Sequence, residues 1–166
     1  MEASAQENVI NALKKMYEGE ILHIETPYDF LTITLKKEKV AEIIRYLYDN
    51  PETKFQYLTS IGGVHFPDLN QIAVVYQLHN LVTNQRLRLK TYLPVDNPVT
   101  DTITPIFPGA NWMERETYDF YGVNFKGHPD LRRILNVDEM IIFPMRKEYP
   151  LEDQTREDKN DSMFGR

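Results

Sequence analysis

Two strand-forming segments joined by a short polar connection constrain the fold of this chain more than any other feature. Residues 71–81 place apolar side chains at both alternating sets of positions, which is typical of a strand at the centre of a sheet. Residues 82–85 read Val-Thr-Asn-Gln and connect this strand to residues 86–93, which alternate basic and mostly apolar side chains. The pattern predicts an antiparallel hairpin within a larger sheet.

The basic positions of the return strand, Arg86, Arg88 and Lys90, share one face. A sheet that is buried on one side carries polar side chains on the other, so these cations fit a solvated face. They also fit a surface that receives an acidic partner. The periodicity leaves both interpretations open.

Helical periodicity indicates two helices before the hairpin and one after it. Apolar residues recur at offsets of 0, 1, 4, 7 and 8 from Val9, and at 0, 3, 4, 7 and 8 from Val40. A third helix is expected from Asn111, whose side chain can cap the first turn, to about Tyr121. Gly122 is expected to end it, because glycine tolerates a positive φ.

Further strands are expected over residues 21–25, 31–35 and 55–61, the last ending at Gly62 and Gly63. Helices and strands interleave without a regular βαβ repeat. This favours an α+β fold with a mixed or antiparallel sheet of about five strands and flanking helices.

We expect a single domain over residues 1–143. Residues 144–166 contain 11 charged residues among 23 and few apolar ones, so they cannot build a core of their own. They are predicted to form an extended C-terminal tail that becomes ordered against a neighbouring protein.

Composition excludes several classes of function. The chain has no cysteine, which rules out thiol nucleophiles, disulfides, thiolate zinc sites and Cys-ligated iron–sulfur clusters. Its 7 glycines form neither a dinucleotide-binding nor a P-loop pattern. A formal charge of −6 argues against nucleic acid as a partner, and no apolar run is long enough to span a bilayer. The polar N-terminus argues against a signal peptide, so a cytosolic location is expected.

The densest polar cluster lies in the expected third helix. Arg115 and Asp119 are four residues apart and can pair. Glu116, Asp119 and His128 lack the spacing of a metal site. Glu114, Glu116 and Asp119 could supply the acid and base of a free-standing hydrolase, although no nucleophile or oxyanion hole is apparent nearby.

A second charged run follows at Asp130, Arg132 and Arg133. It fits a helix start whose arginines face solvent. It also fits a docking surface, because arginine is enriched at protein interfaces.

Taken together, these segments resemble a known family. Residues 110–116 (Ala-Asn-Trp-Met-Glu-Arg-Glu), Asp119, Gly122 and residues 127–135 (Gly-His-Pro-Asp-Leu-Arg-Arg-Ile-Leu) closely resemble the signature of the C-type subunit of respiratory complex I, the proton-translocating NADH–quinone oxidoreductase. Residues 144–151 (Pro-Met-Arg-Lys-Glu-Tyr-Pro-Leu) resemble a later element of that family. The chain resembles the separate form of this subunit, not the form fused to the neighbouring D-type subunit.

The resemblance implies a structural subunit of the peripheral arm, without catalytic, cofactor-binding or metal-binding residues and without activity alone. FMN and iron–sulfur clusters are expected in partner subunits. The chain is expected beside the D-type subunit and cluster-bearing neighbours, on the cytoplasmic side of the membrane and associated with it only indirectly, with its tail docked on a neighbouring subunit. Ten matching residues are expected to bind partners: Glu114, Arg115, Glu116, Asp119, His128, Asp130, Arg132, Arg133, Arg146 and Lys147. The alternative is a homologous subunit of a membrane-bound hydrogenase or of another ferredoxin- or deazaflavin-linked complex.

Overall fold

The computed structural model describes residues 2–149, with side chains from residue 6 onward. The helices are α1 (Glu2–Tyr17), α2 (Val40–Asp49) and α3 (Ala110–Tyr121). The strands are β1 (Ile21–Glu25), β2 (Thr32–Leu35), β3 (Tyr57–Phe66), β4 (Gln71–Asn80), β5 (Gln85–Pro94), β6 (Val99–Asp101) and β7 (Asn124–Lys126). Within this range no helix combines the length and the apolar character that crossing a membrane requires.

Five strands form one mixed sheet in the order β1-β2-β5-β4-β3. Strands β4 and β5 pair antiparallel from Gln71–Pro94 to Asn80–Gln85, which confirms the predicted hairpin at the centre of the sheet. Strand β2 runs parallel to β5, and the remaining pairs are antiparallel. The expected α+β fold class is therefore confirmed.

The core lies between one face of this sheet and helices α1 and α2. Leu87, Leu89 and Leu93 of β5 point into it and are fully buried. Leu13 of α1 and Ile44 of α2 belong to the same buried cluster. Both amphipathic helices thus use the apolar stripe that their 3.6-residue period predicts.

Strand β3 continues past the point where its end was predicted. It runs through Gly62 and Gly63 to Phe66, so the interpretation of these glycines as a strand terminator was wrong. A Cβ on Gly63 would lie 2.5 Å from Cδ2 of Tyr121, which is closer than two non-bonded carbon atoms can approach. The glycine gives the Tyr121 ring room to pack α3 against the sheet.

Helix α3 begins at Ala110, one residue before the predicted cap. Gly109 occupies the capping position without a side-chain hydrogen bond, so Asn111 does not cap the helix. Gly122 ends it as expected, with φ of 77°. The short parallel pair of β6 with β7 was not predicted, because each strand has only three residues.

The described part of the expected tail, residues 144–149, lies against its own domain. The Met145 amide donates to the carbonyl of Phe120 at 3.2 Å, and the Arg146 Nε atom donates to that of Tyr121 at 2.8 Å. The Lys147 amide donates to His65 Nδ1 at 2.9 Å. Residues 150–166, with most of the expected tail, lie outside the described residues, and docking of the tail on a neighbour stays a prediction.

Candidate functional site

The signature residues meet where α3 packs against residues 127–143, a segment with no helix or strand. Asp119 joins the two, because its fully buried carboxylate accepts hydrogen bonds from four successive residues of this segment. Arg133 Nη1 donates to Oδ1 at 2.7 Å, and the backbone amides of Ile134, Leu135 and Asn136 donate to Oδ2 at 3.1, 2.8 and 2.9 Å. The Asn136 side chain adds a bond of 3.0 Å to Oδ1. One carboxylate therefore fixes three successive peptide groups.

Two opposing effects act on the charge of Asp119. Burial by itself raises the pKa of this carboxyl. The hydrogen bonds from Asn136, Leu135 and Arg133 outweigh burial and hold the pKa well below its ordinary value. Asp119 is therefore ionised at neutral pH and forms a buried ion pair with Arg133.

Arg133 also fixes the next part of the segment. Its Nη2 atom donates to the carbonyls of Met140 and Ile142, at 2.5 and 2.9 Å, and its guanidinium lies 5.2 Å from the centre of the Phe143 ring. Three apolar side chains of the segment face solvent, since Leu135, Val137 and Ile141 are exposed by 66%, 64% and 92%.

Arg115 occupies a different place from the one its spacing predicted. It does not pair with Asp119, because Arg133 takes that carboxylate. Its Nε and Nη2 atoms donate instead to the carbonyls of Arg132 and Arg133, at 3.2 and 2.9 Å. Arg115 therefore supports the backbone of the segment from α3.

A second buried carboxylate, Glu114, holds the other side of α3. It is fully buried and accepts hydrogen bonds from the Ile103 amide at 2.8 Å and from the Thr102 hydroxyl at 2.5 Å. Burial raises the pKa of Glu114 to about 7, although the bonds to Thr102 and Ile103 act in the opposite direction. The residue ties the helix to the chain that follows β6.

His128 lies beside Glu114, with its Nε2 atom 4.0 Å from the Glu114 Oε2 atom. The amide of Asp130 donates to His128 Nδ1 at 3.0 Å, which requires that nitrogen to be unprotonated. The hydrogen therefore sits on Nε2, which donates to the carbonyl of Asn111 at 3.1 Å. A neutral imidazole thus links residue 128 to the start of α3.

The ten residues expected to bind partners fall into three groups. The side chains of Glu114, Asp119, His128 and Arg133 are buried or nearly so and bond within the chain. Arg115 and Arg146 are partly buried and also bond to their own backbone. Exposed at the surface are Glu116, Asp130, Arg132 and Lys147.

This geometry bears on the alternatives that the sequence left open. Glu114 and Asp119 are buried and bonded to their own chain, whereas Glu116 is exposed, so α3 does not gather the three carboxylates of a hydrolase around one accessible site. Within residues 2–149, no group of three or more His, Asp or Glu side chains is arranged to hold a metal ion. The run at Asp130 does not start a helix.

Sequence reasoning missed two parts of this site. One is Asn136, which bonds to Asp119 twice, through its amide and its side chain. The other is the exposed apolar group Leu135, Val137 and Ile141. No periodicity marked this group, because its spacing follows neither a helical nor a strand pattern.

Comparisons with known proteins place these features in context. The family described as "Respiratory-chain NADH dehydrogenase, 30 Kd subunit" matches residues 33–155, a range that includes both buried carboxylates. The C-type subunit of NADH-quinone oxidoreductase from Mycolicibacterium gilvum is 37% identical over 143 residues, which are 85% of this chain and 62% of that protein. The Geobacter sulfurreducens protein of the same name is 37% identical over 147 residues, 87% of this chain and 90% of its own length. The chain thus spans less than two thirds of the first relative and most of the second.

Two solved structures share the fold. A chain of the membrane-bound sulfane sulfur reductase, an archaeal respiratory membrane complex, has a TM-score of 0.75 and 25% identity, covering 89% of this chain and 86% of its own. The trypsin-resistant fragment of Nqo5 has a TM-score of 0.64 and 30% identity, covering 76% of this chain and 99% of its own.

Proposed function

The chain belongs to the family of the 30 kDa subunit of respiratory-chain NADH dehydrogenase, and on that basis we propose that it is a structural subunit of NADH–quinone oxidoreductase with no chemistry of its own. The resemblance found in the sequence is confirmed by this match and by the C-type relatives. In this proposal the complex transfers electrons from NADH to quinone. FMN and iron–sulfur clusters belong to other subunits.

The observation that carries the proposal is the form of the segment 127–143. Its backbone is held by Asp119 and Arg133, both nearly or fully buried, while Leu135, Val137 and Ile141 face outward. Several exposed apolar side chains within seven residues of a fixed backbone are a feature of surfaces that bind another protein. We call these three residues the apolar loop.

The apolar loop has charged neighbours that suit the edge of an interface. Arg132 and Asp130 form an exposed pair at 3.0 Å. Interfaces combine an apolar centre with a polar rim, and Arg132 is well placed for the rim. We propose that the loop docks on the D-type subunit or on an adjacent cluster-bearing subunit, at the cytoplasmic side of the membrane, and that the buried residues shape the loop without touching the partner.

A second candidate rests on the archaeal likeness. The TM-score of 0.75 over 89% of the chain supports a homologous role in a respiratory membrane complex other than NADH–quinone oxidoreductase. The candidate is a membrane-bound hydrogenase or another ferredoxin- or deazaflavin-linked complex. The subunits that copurify with a tagged chain distinguish the two. NADH-oxidising activity in the purified complex supports the first candidate, and a complex that is inactive with NADH but accepts electrons from ferredoxin supports the second.

The docking role is tested by Ile141→Asp in the tagged full chain, with Val82→Asp as its control. Both positions are exposed, by 92% and 89%, but Val82 lies in the turn between β4 and β5. We expect Ile141→Asp to leave the free chain folded and to reduce recovery of the other subunits, because burying a carboxylate in an apolar contact is costly. Val82→Asp should not reduce recovery. Equal recovery with both variants would contradict docking through the apolar loop.

A further inference from the structure

The sheet has a second face, opposite the helices, that carries a groove of about 390 Å³ along β3, β4 and β5. Its floor is formed by small or β-branched side chains, because Gly62 pairs with Val75 and Val64 pairs with Ala73 in the register of β3 with β4. The rings of Phe66 and Tyr92 lie 5.9 Å apart at one end. The groove is therefore apolar along its centre.

One wall of the groove is positively charged. Strand β5 contributes Arg88 and Lys90, opposite Gln77 and Val75 of β4. Lys90 pairs with Glu25 at 3.0 Å, whereas Arg88 lies over the Phe30 ring at 4.5 Å and forms no ion pair with the described residues.

The sign of this charge is unusual for the chain. The 30 residues of β3, β4 and β5 include no Asp or Glu, although the whole chain has 25 acidic residues against 19 Lys and Arg. Glu25 of β1 compensates the charge of Lys90 at the border of this face, so the charge of Arg88 is left to complement an acidic ligand.

The width of the groove fits an α-helix. From β3 to β5 is two strand spacings, or about 10 Å, which matches the diameter of one α-helix of about 10–12 Å. Gly62 and Ala73 would let the backbone of such a helix approach closely. A second copy of this chain, using the same face in a two-fold dimer, would oppose arginine to arginine and is disfavoured.

We propose that this groove receives an amphipathic α-helix of a partner subunit. The apolar side of the helix packs on Val64 and Val75, and an Asp or Glu side chain along its flank pairs with Arg88. The inference rests on the proposed membership of a multi-subunit complex, and its surface is separate from the apolar loop.

The test uses the complex assembled in cells, with a photoreactive benzoylphenylalanine in place of Val64. This side chain is 42% exposed on the floor of the groove. The matched control carries the probe in place of Val82. After irradiation, the cross-linked peptide is identified by mass spectrometry. We expect the Val64 probe to label one partner subunit, within a helical segment that carries acidic residues, and the Val82 probe not to label that segment.

Charge variants test the recognition itself. Arg88→Glu should reduce labelling from the Val64 probe about tenfold or more, because a like charge would face the acidic flank. Arg88→Lys should retain most of the labelling. Equal labelling with both variants would contradict charge recognition and overturn the proposal.

The remaining outcomes separate this inference from the proposed function. Labelling of residues 150–166 of the same chain, of a second copy, or of a basic or extended segment would overturn the groove proposal. A complete complex in which the Val64 probe labels no partner would overturn it as well and leave the proposed function intact. A tagged chain that recovers no other subunit would overturn both.

Discussion

Arg133 Nη1 lies 2.7 Å from Asp119 Oδ1, with the arginine side chain 8% exposed and the aspartate not exposed. The two lie fourteen positions apart in the chain. The ion pair therefore holds a segment that has no helix or strand against α3. Its strength comes from the accompanying hydrogen bonds to backbone, because buried ions that lack such bonds are destabilising.

Asp119→Asn should destabilise the protein by about 3–5 kcal/mol, because it leaves the Arg133 charge buried without its partner. The matched control is Asp130→Asn, which disrupts only the exposed pair with Arg132 and should cost about 1 kcal/mol or less. The free energy of unfolding in urea, measured for both variants, checks the prediction. Similar values for the two would show that burial of the pair contributes little.

Glu114 should make stability depend on pH in the opposite sense to an ordinary carboxylate. Its pKa is about 7 in the folded chain, against an ordinary value of 4.5, so the folded state holds more protons between these pH values. The free energy of unfolding of the native protein should therefore fall, relative to Glu114→Gln, by on the order of 3 kcal/mol as pH rises from about 4.5 to above 7.

This difference is measured by urea unfolding at several pH values. Glu116→Gln is the control, because Glu116 is exposed on the same helix and should show no such trend. A constant difference between native protein and Glu114→Gln from pH 5 to 8 would mean that Glu114 titrates as an exposed carboxyl does.

Gly63→Ala should destabilise the protein by about 1–3 kcal/mol, because the added Cβ would lie 2.5 Å from the ring of Tyr121. Gly62→Ala is a close control, since an added Cβ there has no atom within 4 Å. Thermal unfolding of both variants checks the prediction. A double variant with Tyr121→Leu should recover part of the loss, and failure to recover any would point to a cause other than this contact.

Two truncations should show how much residues 144–149 contribute to the free energy of unfolding. Removal of residues 144–166 should lower the free energy of unfolding more than removal of residues 150–166. Only the longer deletion removes Arg146, which bonds to Tyr121 and lies 4.9 Å from the centre of the Phe143 ring. A hydrogen bond and a cation–π contact together contribute about 1–3 kcal/mol. Chemical unfolding of both truncated chains measures the difference, and equal values would show that residues 144–149 add no stability.

The sequence predicted well those features that depend on regular periodicity. The alternation around Leu87 and Leu89 identified the central hairpin, and the stripe containing Ile43 and Ile44 identified α2, because both patterns follow directly from burial of one face. The end of β3 was predicted too early. A glycine such as Gly63 can mark a close approach of another side chain to the backbone as well as a turn. Only the three-dimensional packing shows that the ring of Tyr121 fills this space.

The sequence singled out the charged residues of the candidate site but not the contacts between them. The spacing of Arg115 and Asp119 suggested a local pair, whereas the true partner of Asp119 is Arg133. Spacing within a helix says nothing about contacts with a segment beyond it. Burial of Glu114 was equally hidden, because the residues that cover it include Thr102 and Ile103, which precede α3 in the chain.

Asp119 accepts hydrogen bonds from the amides of Ile134, Leu135 and Asn136. The backbone path of the segment therefore depends little on the side chains that it exposes. At Ile134 and Leu135 the carboxylate binds only the peptide group, which every residue except proline supplies, so the hydrogen bonds to Asp119 do not depend on these two side chains, whereas the Asn136 side chain donates to Asp119 as well. A different side chain at Leu135 would therefore change the exposed surface of the segment and leave its hydrogen bond to Asp119 in place. A single aspartate on a helix thus fixes the backbone of a segment whose exposed side chains are independent of it.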